Sequence, residues 1–222
     1  VEQIISSHSE VTAAGELREI SLYGGLLSNG KIASNHDMLE QFRQKYLSAL
    51  IKRSEGRPMV TDKMPLNFRF IPLICAAFPE AKIIHVKRDA AATCWSNYKQ
   101  HFATKDLGYC YNLEDVAAYY ELYDDLMCSW DKIYGNKFYN LTYEKLTTNQ
   151  EVETKKLIQY LDLVWQDECL SPHMNRRVVK TASQQQVLKK VYQGSSQKWR
   201  KYKPFLNGAF DGLTELVGSS SS

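Results

Sequence analysis

An arginine and a serine follow the most β-rich stretch of the sequence at a spacing suited to holding an anion. Arg88 comes just after the apolar run 81–86, Asp89 can cap a helix, and Ser96 lies seven residues beyond that cap. Seven helical residues nearly complete two turns, so we expect the Ser96 hydroxyl to return to the face on which the helix begins. Arg88 would then give a bidentate contact and Ser96 a second donor. A surface Arg–Asp pair and a solvated serine are the plainer interpretation of the same residues.

Short β-rich segments alternate with helical patterns along the chain. The predicted strands are Pro58–Asp62, Ala81–Val86 and Phe138–Thr142. Apolar periodicity and capping residues predict helices from Ala90 onward and over 38–50, 67–78 (kinked at Pro72), 116–134 and 149–161.

This alternation predicts an α/β fold with a central parallel sheet flanked by helices on both faces. Ligands of such sheets bind at the carboxyl ends of the strands, where we expect the functional residues.

The composition fits one globular domain and a locally held small ligand. The chain has 222 residues, of which 44% are hydrophobic and 24% are charged. We expect a single domain over 1–217 and a flexible tail over 218–222. The formal net charge of +3 is too small and too dispersed to indicate a nucleic-acid partner.

The cysteines and histidines indicate neither a disulfide framework nor a metal site. The five cysteines are scattered without a C-x-x-C pair, which predicts reduced thiols and a cytoplasmic location. The five histidines lack the spacing of metal ligands. No apolar run approaches the length of a membrane span.

The segment around Arg88 resembles a known cofactor-binding motif. V-K-R-D-x-x-x-x-x-W-S is similar to the 3′-phosphate-binding segment of sulfotransferases that use 3′-phosphoadenosine 5′-phosphosulfate (PAPS), in which an arginine precedes a serine by eight residues. Four further segments match in chain order: Ala14–Leu17 (the G-E segment), Thr61–Pro65 (D-K-x-P), Leu141–Leu146 (Y-E-x-L) and Thr181–Tyr202 (T-A-S…S-x-x-W-x-x-Y). The set looks closest to bacterial sulfotransferases found behind tetratricopeptide repeats, and D-K-x-P resembles the tyrosylprotein sulfotransferases.

The resemblance implies a P-loop-type sulfotransferase fold and transfer of a sulfuryl group from PAPS to an acceptor hydroxyl. It implies that Glu16 is the general base and that Lys63 is the cation near the transferred group. The residues it assigns to the nucleotide are Arg88, Ser96, Tyr143, Ser183 and Lys198. The product would be 3′-phosphoadenosine 5′-phosphate (PAP), with no metal required, because a sulfuryl group carries less charge than a phosphoryl group. Peptide tyrosine, saccharide and small alcohol all stay open as acceptors.

One motif of the family does not occur in the sequence. Relatives carry a loop resembling G-x-P-R-S-G-T-T-L, which cradles the 5′-phosphosulfate with backbone N–H groups, directly before a V-E-Q-I segment. Here V-E-Q-I opens the sequence. We therefore expect the loop upstream of Val1, Val1 near Arg88 and Lys63, and a possible tetratricopeptide-repeat region further upstream.

Two other functions stay open. A P-loop nucleotide kinase would need G-x-x-x-x-G-K-[ST] and acidic Mg²⁺ ligands, neither of which is visible. A partner-binding relative that has lost activity would keep the fold without the chemistry. On residue type alone, Glu16 is an ordinary capping acid, Lys63 a solvated lysine and Tyr143 a core aromatic.

Overall fold

The contacts divide the chain into two compact units. The computed structural model describes residues 1–102, 105–175 and 190–215. The first unit comprises Val1–Ile83 and Thr154–Lys190, and the second comprises Ile84–Glu153 and Val191–Ser222.

The described elements are strands, α-helices and short 3-10 helices. The strands are β1 (Val11–Gly15), β2 (Met59–Asp62), β3 (Ile83–Lys87) and β4 (Phe138–Thr142). The α-helices are α1 (Glu2–Ile5), α2 (Glu19–Ser28), α3 (His36–Ile51), α4 (Ile71–Ala77), α5 (Ala90–Tyr98), α6 (Leu113–Tyr134), α7 (Tyr143–Thr148), α8 (Gln150–Tyr160) and α9 (Asp211–Glu215). The 3-10 helices are Pro65–Phe70, Lys105–Tyr111, Gly135–Lys137, Asp167–Leu170, Pro172–Met174 and Ser195–Phe205.

The first unit is built on a parallel strand pair. β1 and β2 pair in register from Val11 opposite Met59 to Gly15 opposite Asp62, with an irregularity between Ala13 and Gly15. α2, α3 and α4 enclose an apolar core whose buried members are Leu17, Ile20, Tyr23, Met38, Phe42, Tyr46, Phe70, Leu73, Ala77 and Phe78. Parallel pairing places the carboxyl ends of β1 and β2 at the same edge.

The second unit is built around β3, β4 and two capped helices. β3 pairs with β4. Asp89 caps α5 by accepting a hydrogen bond from the Ala92 N–H at 2.7 Å, and Asn112 caps α6 in the same way. The buried core residues are Ala90, Ala91, Ala92, Cys94, Val116, Ala117, Tyr120, Trp199, Leu206, Phe210 and Leu213.

The α/β class predicted from the sequence is confirmed. The predicted strands correspond to β2, β3 and β4, and the periodic segments correspond to α3 and α6. The helix predicted over 67–78 is instead a 3-10 helix followed by α4, because Pro72 lies in the first turn of α4. β1 and α2 were not predicted. The described strands form two two-stranded sheets, β1–β2 and β3–β4.

Two observations concern the compartment and the membrane. All five cysteines are free. Within the described parts of the chain, no helix combines the length and the apolar character needed to cross a bilayer.

Candidate active site

The carboxyl ends of β1 and β2 bring Glu16 and Lys63 together in the first unit. Gly15 ends β1 with φ at 76°, in the left-handed region that glycine adopts without steric cost. The Lys63 N–H donates to the Gly15 carbonyl at 2.8 Å. Glu16 and Lys63 are therefore the residues that follow the ends of two neighbouring strands.

Glu16 and Lys63 form an ion pair. The Lys63 Nζ donates to Glu16 Oε1. Their side chains are 35% and 39% exposed, so a substrate can reach both. A carboxylate in hydrogen-bond reach of a hydroxyl can take its proton, and an ammonium group can stabilise negative charge on an oxygen. The pair therefore has the components of a general base next to an electrophilic cation.

Asp62 fixes the backbone around this pair. Its Oδ1 accepts from the Leu17 N–H at 3.1 Å, and its Oδ2 accepts from the Tyr46 hydroxyl at 2.8 Å. Burial raises the pKa of Asp62 above its usual value, although these hydrogen bonds oppose the shift. Burial, followed by the neighbouring Asp62, also raises the pKa of Tyr46. Asp62 thus connects the residue after Glu16 to the strand that leads to Lys63.

α1 is attached to the same edge. Glu2 Oε1 accepts from the Gly15 N–H at 3.2 Å and from the Thr61 hydroxyl at 3.4 Å. The amino group of Val1 interacts electrostatically with Lys63, which agrees with the expectation that Val1 lies near Lys63. The expectation that Val1 also lies near Arg88 stays a prediction.

Arg88 lies at the centre of a polar cluster in the second unit. It follows β3, its Nε donates to the Ser196 hydroxyl at 3.2 Å, and its Nη2 donates to the Ser195 hydroxyl at 3.5 Å. Its guanidinium carbon is 4.9 Å from the centroid of the Tyr143 ring. The Tyr143 and Ser195 hydroxyls are 2.8 Å apart and share a hydrogen bond. These four residues, the Arg88 cluster, come from three separate segments of the chain.

Glu144 orients the cluster without neutralising it. Its Oε1 accepts from the Ser196 hydroxyl at 2.5 Å and from the Asp89 N–H at 3.1 Å. Among the residues the structure describes, no carboxylate lies within ion-pairing distance of Arg88. The guanidinium charge is therefore available to an anion.

The structure describes two of the three remaining residues that were predicted to bind the nucleotide, Ser96 and Lys198. Ser96 lies half-buried in α5, and in the described chain no hydrogen bond joins it to Arg88. Lys198 is exposed, with its Nζ 5.2 Å from the centroid of the Tyr192 ring. Ser183 lies outside the described residues.

Sequence reasoning missed Ser195 and Ser196 as members of the Arg88 cluster and Glu144 as the residue that orients it. Glu144 lies within the Y-E-x-L segment and Ser196 within the S-x-x-W segment, so the motifs signalled their neighbourhood but not their contacts. Nothing in the sequence distinguished Ser195.

Within residues 1–102, 105–175 and 190–215, no three or more His, Cys, Asp or Glu side chains lie together in a group that could hold a metal ion.

Comparison with known proteins gives the chain its family. An uncharacterized protein of Aquifex aeolicus (strain VF5) is 33% identical to this chain over an aligned region that covers 96% of the chain. The chain spans 30% of the length of that relative. The model of the sulfotransferase family matches residues 1–167, a range that includes Glu16, Lys63, Arg88 and Tyr143. The match extends over most of the sequence and over the polar residues that follow all four described strands, so the chain belongs to the sulfotransferase family.

Proposed function

We propose that the chain transfers a sulfuryl group from PAPS to an acceptor hydroxyl. The observation that carries the proposal is the Arg88 cluster. A guanidinium without a described carboxylate partner, surrounded by three hydroxyl groups, is suited to an anionic ligand. The family to which the chain belongs supplies the reaction, and the residue types of the cluster fit the donor nucleotide.

The nucleotide-binding role falls to Arg88, Ser96, Tyr143, Ser183 and Lys198. Arg88 gives a phosphate charge-assisted hydrogen bonds, and the Ser195 hydroxyl can rotate to donate as well, whereas the Ser196 hydroxyl donates its proton to Glu144. Glu144 holds Ser196 beside Arg88, so the cluster is organised before a ligand arrives. We assign the cluster to the 3′-phosphate of the nucleotide.

The chemical step falls to Glu16 and Lys63. The acceptor oxygen forms a bond to sulfur while the bond from sulfur to the bridging oxygen breaks, and its electron pair stays on the phosphate of PAP. The proton of the acceptor hydroxyl passes to the Glu16 carboxylate. Once Glu16 is neutral, Lys63 is free to stabilise the charge on the leaving oxygen. As in phosphoryl transfer, most of the catalysis comes from positioning and charge neutralisation.

We also propose the type of enzyme, its location in the cell and the classes of acceptor. The motifs favour a bacterial enzyme of the tetratricopeptide-associated or tyrosylprotein type, and the scattered cysteines favour a cytoplasmic location. Peptide tyrosine, saccharide and small alcohol are the acceptor classes to compare. Because the chain spans 30% of its relative, a repeat region elsewhere in the whole protein is included in the proposal.

The test combines binding and turnover. Calorimetry should show PAP binding much more tightly than ADP, because only PAP carries a 3′-phosphate. Transfer of label from PAPS should then be measured to a tyrosine peptide, a saccharide and an alcohol. Equal affinity for ADP would favour a kinase-like phosphotransferase. PAP binding with no transfer to any acceptor class would favour an inactive partner-binding relative.

A further inference from the structure

The 3-10 helix Ser195–Phe205 carries a row of aromatic residues that runs from the core to the surface. In a 3-10 helix, residues three apart lie on the same face. Trp199, Tyr202 and Phe205 have this spacing and are 3%, 46% and 76% exposed. We call these three residues the aromatic ridge. Its outer end is Phe205, a large side chain without a polar group.

Basic residues flank the aromatic ridge on both sides. Lys201 lies on one neighbouring face, Arg200 and Lys203 lie on the other, and all three are exposed. Lys203 is paired with Asp211 at 3.1 Å. Within the described chain, Arg200 and Lys201 have no carboxylate at ion-pairing distance. Two cations without a carboxylate partner in the described chain therefore lie beside an exposed apolar side chain.

The packing of the aromatic ridge limits what it can bind. Tyr202 stacks on Trp95 with ring centroids 4.5 Å apart, so one of its faces is already covered. Tyr202 therefore offers at most one ring face to a ligand. Phe205 projects beyond this stack, and its phenyl group favours hydrocarbon over water. An apolar side chain bordered by cations is typical of segments that lie in the interface of an anionic lipid bilayer.

We propose that the aromatic ridge docks on an anionic lipid surface. Phe205 enters the boundary between headgroups and acyl chains, and Arg200 and Lys201 contact the anionic headgroups. This docking does not depend on the proposed sulfuryl transfer, because none of these three residues has a role in it.

Co-sedimentation of the full chain with lipid vesicles tests the proposal. The chain should bind vesicles of phosphatidylcholine and phosphatidylglycerol and not vesicles of phosphatidylcholine alone, and high salt should weaken the binding. Phe205→Ser should lower the partition coefficient roughly tenfold. The double variant Arg200→Gln/Lys201→Gln should lower it roughly fivefold per charge removed.

Matched variants in the first unit serve as controls. Val164→Ser alters a side chain that is 77% exposed, and Lys31→Gln/Lys52→Gln removes two exposed charges. Both controls should bind the vesicles as the wild type does. The proposal is overturned if the wild type ignores anionic vesicles, if the controls lose as much binding as the ridge variants, or if an acidic polypeptide binds while vesicles do not. Thermal denaturation of each variant shows that the losses come from the surface and not from unfolding.

Discussion

Glu16 and Lys63 each limit what the other can do. While Glu16 is ionised, the ammonium group of Lys63 is engaged with it and holds one of its oxygens in place. In the proposed reaction, a proton arriving from the acceptor hydroxyl removes that charge and releases the lysine toward the leaving oxygen. The proposal thus connects proton removal to charge stabilisation.

Glu16→Gln should lower turnover by roughly 10²–10⁴, the usual contribution of a general base. The amide retains the shape of the carboxylate but cannot accept the proton, so PAP affinity and the free energy of unfolding should change little. Steady-state transfer from labelled PAPS and calorimetry with PAP measure both. Glu19→Gln, at the first residue of α2, is the matched control and should turn over normally. Near wild-type turnover in Glu16→Gln would remove Glu16 from the mechanism.

Arg88→Ala should weaken the binding of PAP much more than the binding of adenosine 5′-phosphosulfate, which lacks the 3′-phosphate. The loss for PAP should be on the order of 1.5–3 kcal/mol, the contribution of a hydrogen bond to a charged group. Arg88→Lys should recover only part of it, because an ammonium group cannot make the bidentate contact. Calorimetric titration with the two nucleotides measures both losses of binding free energy. Equal losses for both would contradict the assignment to the 3′-phosphate.

The predictable part of the site is the part that local spacing determines. Lys63 and Arg88 each follow a predicted strand within a short motif, whereas Glu16 was identified from its motif alone, because β1 was not predicted. The bond between Tyr143 and Ser195 joins residues 52 positions apart. Contacts across such separations depend on the packing of whole elements, which a pattern of neighbouring residues does not encode.

At the scale of elements, helices with local signals and the three β-rich strands were predicted, whereas β1 was not. α5 begins at a capping aspartate, and α3 and α6 carry apolar residues at helical spacing. β1 consists of Val-Thr-Ala-Ala-Gly, and its last three residues have weak β preference. It is a strand because β2 pairs with it, which is tertiary information.

The two adjacent glycines of α2 give a sharp test of packing. A Cβ on Gly24 would lie 2.2 Å from the Phe70 ring, whereas a Cβ on Gly25 would meet nothing within 4 Å. Gly24→Ala should therefore destabilise the fold by roughly 1–3 kcal/mol through overpacking. Gly25→Ala should stabilise it by roughly 0.5–1 kcal/mol, since alanine is the better helix former. Urea denaturation measures both free energies of unfolding. Equal effects of the two substitutions would contradict the close contact between α2 and Phe70.

At the scale of the whole molecule, each compact unit has its own core and its own set of predicted functional residues. The first unit carries Glu16 and Lys63, and the second carries Arg88, Ser96, Tyr143 and Lys198. The mild net charge follows from 28 basic and 25 acidic residues. The stability of such a chain depends on pH mainly through individual groups whose pKa changes on folding.

His85 is such a group. It lies on β3, its Nδ1 is 2.9 Å from Asn140 Oδ1 on β4, and its Nε2 is 2.6 Å from the Tyr123 hydroxyl on α6. A neutral ring can donate from Nδ1 to Asn140 and accept at Nε2 from Tyr123, and a protonated ring would donate from both nitrogens, with the Tyr123 oxygen as an acceptor. Burial lowers the pKa of His85, as Lys87 also does, while Asn140 and two more distant carboxylates oppose the shift.

The free energy of unfolding should therefore fall as the pH drops below about 6.5, the ordinary value for histidine. The unfolded chain takes up a proton there, while the folded chain resists until its lower pKa is reached, so the contribution of His85 is present above that range and is lost below it. His85→Gln should flatten this slope between about pH 7.5 and pH 5, where an unperturbed histidine titrates. Urea denaturation at several pH values gives the slope, and His36→Gln, at the exposed start of α3, should leave it unchanged. If His85→Gln keeps the slope of the wild type, the pH dependence arises elsewhere in the chain.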